Sequence, residues 1–335
     1  MKLKEGLEHY FSVLKEEKEP NFLKTKNKTT KTPENASLEE LWKKHEQKEL
    51  DDQGNQNPLD LKTKIADEVI KDCVFCENRC RVNRKQKQTG FCGVTAVSRY
   101  DDEFIHHGEE PELTPSHTIF FTGCTLKCEY CQNSPISTSP TKGTPALPND
   151  LAEKIVRKKL EGSKNVNFVG GEPTPHLHTI LKTLNTLEAN IPIIWNSNMY
   201  MSKKAMKLLG GTIDLYLGDF KYGNNQCAKQ HSEITDYLET IKRNFKLANQ
   251  QADILIRHLV IPNHLDCCTK PILEWVAEEL GKETRLNLMF QYRPTYKARN
   301  NPQIDRQLTK QEKQRALRYA KEAGLTNLVG EKNLS

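Results

Sequence analysis

His117-Thr-Ile-Phe-Phe-Thr-Gly-Cys124-Thr-Leu-Lys-Cys128-Glu-Tyr-Cys131-Gln-Asn-Ser-Pro135 is the stretch on which the reading of this chain turns. The apolar run Ile119-Phe120-Phe121 has the character of a strand and feeds directly into three cysteines spaced C-x3-C-x2-C. Three thiolates on one short loop can hold three corners of an iron–sulfur cube, which leaves one iron without a protein ligand. A fourth cysteine would close the site, as in an electron carrier or a structural zinc site, whereas an open iron can take a substrate or cofactor. The competing reading is a zinc loop that borrows a ligand from elsewhere, although zinc knuckles usually show paired C-x2-C units.

Outward from this loop the chain alternates strand-like and helix-like periods. Strands are predicted at 117–122, 165–170, 191–197, 212–219, 253–261 and 285–291, with helices at 150–161, 175–189, 202–209, 232–248, 270–280 and 308–323. Regular alternation of this kind marks an α/β fold with a parallel sheet. Six strand–helix units cannot close an eight-stranded barrel, but they can form an open, partial (β/α)6 barrel. In such folds the reactive groups come from loops at the carboxyl ends of the strands. The candidates are therefore Gly170-Gly171-Glu172, Asn196-Ser197, Asp219-x-Lys221, and either Arg257 or His258, since consecutive strand residues face opposite ways. His258 is retained as a candidate, although a lone histidine is more often a core residue.

Upstream lies Cys73-x2-Cys76-x3-Cys80-x11-Cys92. Four thiols in so small and polar a segment make a closed ligand set for zinc or for a second iron–sulfur cluster, and spacing does not separate the two. Cys227, Cys267 and Cys268 are read as packed cysteines, because adjacent cysteines cannot easily ligate one ion. The expected organisation is a polar, partly disordered or helical extension over 1–58, a four-cysteine metal-binding segment over 59–110, the barrel over 111–325 and a tail over 326–335. Within the extension, short helices are predicted at 37–50, capped by Ser37 and Glu40, and at 59–71.

Composition narrows the function. Ten cysteines in a chain without a secretory signal point to metal or redox chemistry and a cytoplasmic location. Residues 1–64 contain no arginine and balance lysine with acids, unlike a transit peptide. No apolar run reaches the ~18 residues of a membrane span. The net charge of +6 is spread along the chain without a basic, aromatic-interleaved patch, so nucleic acid is an unlikely partner.

The cysteine loop, Gly170-Gly171-Glu172 and Asp219-Phe220-Lys221 together resemble the radical S-adenosylmethionine superfamily. Over about residues 70–325 the chain is most similar to iron–sulfur proteins homologous to pyruvate formate-lyase activating enzymes, through Cys-Arg-Val-Asn-Arg, Arg-His-Leu-Val-Ile-Pro and Met-Phe-Gln-Tyr-Arg-Pro as well. The resemblance implies a [4Fe-4S] cluster on Cys124, Cys128 and Cys131 whose fourth iron chelates S-adenosylmethionine. One electron then releases a 5'-deoxyadenosyl radical, which abstracts hydrogen from a protein of the glycyl-radical type or from a small molecule. It also implies that Tyr130 lies against adenine and that Gly170, Gly171 and Glu172 receive the methionine ammonium. Asp219 would meet the ribose or amine and Lys221 the carboxylate, while Asn196 and Ser197 offer short polar groups to the carboxylate or ribose. A low-potential ferredoxin or flavodoxin is the expected donor, since such clusters reach about −700 mV. A non-catalytic redox-sensing or electron-carrying module is the alternative, and it leaves the Gly-Gly-Glu and Asp-x-Lys motifs unexplained.

Overall fold

The computed structural model describes residues 6–31, 36–47, 54 and 56–329. One eight-stranded sheet forms its centre, from β1 (Arg99–His106), β2 (Ser116–Phe121), β3 (Thr144–Pro145), β4 (Asn165–Gly170), β5 (Ile193–Ser197), β6 (Leu215–Asp219), β7 (Asp253–Leu259) and β8 (Arg285–Met289). The spatial order is β3-β1-β2-β4-β5-β6-β7-β8. The strands β2, β4, β5, β6, β7 and β8 pair in parallel, as a partial barrel of six strand–helix units requires. Their sequences are apolar on both faces because helices cover one side and the lumen fills the other; every residue of β5 is buried.

The six predicted strands are present, and two more extend the sheet. β1 pairs antiparallel with β2, and the two-residue β3 pairs with β1. Arg99–His106 was not predicted because this strand, covered on its outer side only by the two residues of β3, is half exposed and polar, without clean alternation. The predicted 232–248 helix is instead two helices, Asn225–Ser232 and Tyr237–Gln251. Glu233 and Asp236 both take left-handed backbone angles between them and turn the chain.

Composition alone gave residues 1–58 the character of a linker, yet much of the segment docks. Leu7 and Tyr10 pack with Ile194, Leu215, Leu217 and Leu255, whose side chains fill the amino end of the lumen. Tyr10 donates its backbone N–H to Asp253 Oδ2 at 2.8 Å, and its phenol oxygen accepts from Asn165 Nδ2 at 2.8 Å. Asp214 Oδ1 receives the backbone N–H of Asn21 and faces His9 Nε2, both at 2.8 Å. The helices Glu8–Leu14 and Asn21–Lys26 thus close the bottom of the barrel. The Ser37-capped helix spans Leu38–Gln47, and the second runs Pro58–Val69 behind an Asn57 capping box. Pro33, residues 48–53 and residues 330–335 of the tail lie outside the described residues. Among the described residues no helix is long and apolar enough to cross a membrane.

The middle of the lumen is ionic. The β1–β2 connection brings in Glu109, Glu110 and Glu112; Arg257 on β7 pairs with the first two and Arg285 on β8 with the third, at 2.7 Å. Asn287 Nδ2 donates to Glu110 Oε1 at 2.7 Å. This layer forms a floor, and the cysteine loop stands above it.

If residues 6–26 are structural, Tyr10→Ala should destabilise the chain by about 3–5 kcal/mol in urea unfolding, as for other buried aromatics. Glu17→Ala, on the exposed turn nearby, should change stability by no more than about 0.5 kcal/mol. Equal effects would return the segment to a linker.

Candidate functional site

A single cavity at the carboxyl ends of β2, β4, β5, β6 and β7 is lined by Cys124, Cys128, Cys131, Gly170, Gly171, Glu172, Asn196, Ser197, Asp219 and Lys221. Two backbone bonds pin the cysteine loop to the helix after β6: Lys127 N–H donates to Ser232 O at 3.1 Å and Glu129 N–H to His231 O at 2.9 Å. Each thiol has a polar neighbour. Ser232 Oγ donates to Cys128 Sγ at 2.9 Å, Asn198 Nδ2 lies 3.7 Å from Cys124 Sγ, and Ser137 Oγ lies 3.3 Å from Cys131 Sγ. Burial pushes the Cys124 thiol far up, helped by the charges of Glu172 and Cys128. Burial also raises Cys128, against the pull of Lys221. Burial thus disfavours the thiolates of Cys124 and Cys128 on their own, so the donor set fits a cationic metal cluster that keeps them deprotonated.

The two glycines line the cavity and also make a close approach that the sequence did not predict. A Cβ on Gly170 would lie 2.2 Å from the backbone N and O of Phe121, and one on Gly171 would lie 2.1 Å from Gly123 O. Their smallness lets the end of β4 rest against the cysteine loop itself. His176 Nε2, 2.8 Å from Thr122 O, ties the same two segments together. Glu172 is buried and serves its surroundings: Oε1 accepts from Thr174 Oγ1 at 2.5 Å and Ser197 Oγ at 2.7 Å, and Oε2 accepts from Asn198 N–H at 2.9 Å. Burial nonetheless raises its pKa. Ser197 is thereby oriented by Glu172 and by Met199 N–H.

Asn196 is the polar group left open. Its Nδ2 is buried and has no hydrogen-bond partner, and the residue lines the cavity. A donor in that state awaits an acceptor. Opposite, Lys221 Nζ and Asp219 Oδ2 form a 2.7 Å pair, with side chains 20% and 30% exposed. Burial works against the Lys221 ammonium, but the charges of Asp219 and Cys128 outweigh it and raise its pKa. A buried donor beside paired opposite charges fits a zwitterionic ligand such as an amino acid.

Tyr130 also lines the cavity, but its hydroxyl is directed elsewhere. It donates to Tyr222 OH at 2.8 Å, which is 2.6 Å from Ser232 Oγ, the donor to Cys128. His258 is excluded from the cavity. It points into the helix layer, with Nδ1 2.7 Å from Phe220 O and Nε2 2.9 Å from Thr269 Oγ1, while its neighbour Arg257 faces the lumen.

Cys73, Cys76, Cys80 and Cys92 lie beside the loop. Asn78 Nδ2 donates to Thr125 O at 2.8 Å, and Phe91, Cys92 and Gly93 share a second cavity with Cys124, Cys128 and Cys131. Burial raises Cys76, and the next cause is the charge of Cys92. The buried Arg84 guanidinium donates to Thr95 O at 2.6 Å and lies 3.8 Å from Cys73 Sγ.

The sequence reading overlooked one cluster. Cys227 Sγ is 3.8 Å from Cys267 Sγ, which is 3.9 Å from Cys268 Sγ. His264 joins Cys227 and Cys267 with all ligand atoms within 4.8 Å of one another. The signal available was His264-x2-Cys267-Cys268. Its partner Cys227 lies on the helix after the neighbouring strand, invisible without the β6–β7 pairing.

The sequence profile of the radical SAM superfamily matches residues 118–276, the span from β2 through the helix after β7. An uncharacterized protein of Methanocaldococcus jannaschii is 45% identical over 336 residues, covering 95% of this chain and 98% of the relative. This chain belongs to the radical SAM superfamily. Membership makes it a radical SAM enzyme and implies a [4Fe-4S] cluster and S-adenosylmethionine as its cofactors. The 7-carboxy-7-deazaguanine synthase of Archaeoglobus fulgidus is 28% identical over 44% of this radical SAM chain and 64% of its own. Among solved structures, Streptococcus suis SuiB bound to S-adenosylmethionine is similar at a TM-score of 0.45 and 16% identity, over 59% of this chain and 44% of that one.

Two outcomes test this geometry. Gly171→Ala should cost about 1–3 kcal/mol as an overpacking change and should lower the iron retained after reconstitution. Unchanged iron would separate Gly171 from the cysteine loop. Burial holds His258 down to about 4, against ~6.5 in the unfolded chain. The unfolded state therefore takes up a proton that the folded state refuses between these values. Stability should fall by up to about 3 kcal/mol as pH drops from ~6.5 towards 4, with buried His176 adding to the slope. His258→Gln should flatten part of that decline in pH-dependent unfolding.

Proposed function

We propose that Cys124, Cys128 and Cys131 hold the [4Fe-4S] cluster and that the facing wall of the same cavity receives S-adenosylmethionine. One observation carries the reading: three half-buried cysteines share a cavity with an unpartnered Asn196 amide and the Asp219–Lys221 pair. When bound and reduced, this pair of cofactors supplies a 5'-deoxyadenosyl radical, which abstracts hydrogen from the substrate. The chain's own residues bind and orient. Lys221 meets the carboxylate, Asp219 the ammonium or ribose, and Asn196 Nδ2 donates to a carboxylate or ribose oxygen. Gly170 and Gly171 set the distance between the β4 end and the thiols. Glu172 acts through Ser197 and Asn198 rather than by direct contact, and Tyr130 packs its ring at the cavity edge.

We further propose that Cys73, Cys76, Cys80 and Cys92 hold a second metal centre, zinc or iron–sulfur. That segment also walls the substrate approach, because Phe91, Cys92 and Gly93 line a cavity with the cluster thiols, and Lys127 and Lys297 stand on its rim. The narrowed approach favours a small molecule or short peptide over the glycyl-radical partner protein that a resemblance to pyruvate formate-lyase activating enzymes suggests. A cytoplasmic ferredoxin or flavodoxin supplies the electron.

Anaerobic reconstitution with iron and sulfide, reduction and addition of S-adenosylmethionine should yield 5'-deoxyadenosine. Cys128→Ala should reduce that yield to background, and cleavage at the wild-type rate would sink the cluster assignment. Lys221→Ala should weaken S-adenosylmethionine binding by roughly 10–100-fold, the worth of a charge-assisted hydrogen bond, with iron content unchanged.

A further inference from the structure

Cys227 stands on the helix Asn225–Ser232 after β6, and His264, Cys267 and Cys268 stand in the segment after β7. Parallel pairing of β6 with β7 places these two loops side by side. Gly223 allows them to meet: a Cβ there would lie 2.7 Å from Cys267 O and 2.8 Å from Cys268 Cα. Cys227 and Cys268 are buried and Cys267 is exposed, so the group sits at the surface with one sulfur reachable from solvent.

The sulfur spacing is the informative quantity. A disulfide needs about 2.05 Å, so these thiols are not bonded. Two zinc–sulfur bonds of ~2.3 Å opened to the tetrahedral angle hold their sulfurs ~3.8 Å apart. The observed separations are 3.8 Å for Cys227 to Cys267 and 3.9 Å for Cys267 to Cys268. We infer that Cys227, His264 and Cys267 form a third metal site for a single zinc-like ion, with Cys268, whose sulfur lies 3.9 Å from that of Cys267, as the adjacent fourth donor.

The surroundings are those of a built site. Asn224 Nδ2 donates to Cys227 Sγ at 3.3 Å and to Cys267 O at 2.8 Å, while its Oδ1 accepts Cys227 N–H at 2.8 Å. His264 Nδ1 lies 2.7 Å from Pro262 O and Nε2 lies 2.8 Å from His231 Nε2. Ligation replaces one of these two bonds. His231 in turn pairs with Glu129, the residue between Cys128 and Tyr130, so the site adjoins the cysteine loop through two imidazoles. Three soft thiolates with one imidazole select zinc over magnesium or calcium. The adjacent cysteines are no obstacle once Cys227 and His264 supply the other two positions.

The test uses the full-length protein with its iron–sulfur centre reconstituted anaerobically. N-ethylmaleimide labelling, read peptide by peptide in a mass spectrometer, is compared with and without added zinc ion. Zinc should slow alkylation of Cys227, Cys267 and Cys268 together by about tenfold or more, and a chelator should restore it. Rates unaffected by zinc, or protection confined to Cys73, Cys76, Cys80 and Cys92, would overturn the site. Independently, Cys227→Ser/Cys267→Ser should bind about one zinc per chain fewer than wild type, with the visible absorption of the cluster retained. Equal zinc in both proteins would overturn it as well. His264→Asn should weaken zinc about tenfold while leaving S-adenosylmethionine binding unchanged, which separates this inference from the cluster assignment.

Discussion

The contact on which the site depends is between backbones: Gly170 and Gly171 lie against Phe121 and Gly123 at distances that leave no room for a Cβ. Parallel pairing of β2 with β4 ends at the Phe121–Gly170 register, and just beyond it the two chains must diverge. With side chains there they would diverge sooner, and Cys124 would be carried away from Glu172 and Asn198. The glycine pair therefore converts a sheet edge into a defined distance between three thiols and the polar ends of β4 and β5. Glu172 extends the same logic one strand further by bonding Ser197 Oγ and Asn198 N–H. A buried carboxylate with four hydrogen bonds holds two loops in register more rigidly than an apolar contact would.

Beneath the cavity, the ion network of Arg257, Arg285, Glu109, Glu110 and Glu112 fills volume that apolar side chains could also fill. Buried ion pairs are seldom the most stabilising way to fill a lumen, because desolvation offsets their attraction. What they provide is a floor that cannot slide, since each carboxylate has defined donors from β7 or β8. Below that floor, Tyr10 and Leu7 complete an apolar layer with Leu215, Leu217 and Leu255. The lumen is thus stacked from apolar base through ionic middle to thiol-bearing mouth. An open barrel lacks the strands that would otherwise seal its base, and the N-terminal helices supply the missing cover.

Much of this architecture was legible in the sequence because it rests on local periodicity. The six parallel strands and most helices follow from apolar runs and caps, and the strand ends that line the cavity follow from the rule that barrels work at their carboxyl ends. What escaped depends on pairing between distant segments. Tyr10 looked like one aromatic residue in a polar leader, because its partners Asn165 and Asp253 are far along the chain. Arg99–His106 escaped because a strand near the sheet edge, half exposed, needs little apolar character. Which of Arg257 and His258 faces the lumen was undecidable until the β7 register was known. The glycines were recognised from their smallness, but their approach to the backbone of Phe121 and Gly123 was not, since close approach to a ligand and close approach to another backbone place the same demand on side-chain size.

Two outlying sets of cysteines flank the one short loop that carries the third, and the hydrogen bonds around that loop give the arrangement direction. Tyr130, Tyr222 and Ser232 form a chain of hydroxyls that ends at Cys128 Sγ. With Tyr222 donating to Ser232, every hydroxyl in that chain points its proton towards the sulfur, and such bonds strengthen one another in a dry setting. Hydrogen bonds to a cluster-ligating sulfur stabilise its negative charge and thereby tune the reduction potential. The helix that contributes Ser232 begins near Cys227 and contains His231, which pairs with Glu129 on the loop. One eight-residue helix therefore touches the loop backbone, a loop thiol and the outlying thiol cluster at once. A displacement of this helix would alter the surroundings of Cys128 and the position of Glu129 together, so the connection after β6 and the cysteine loop are packed as one unit.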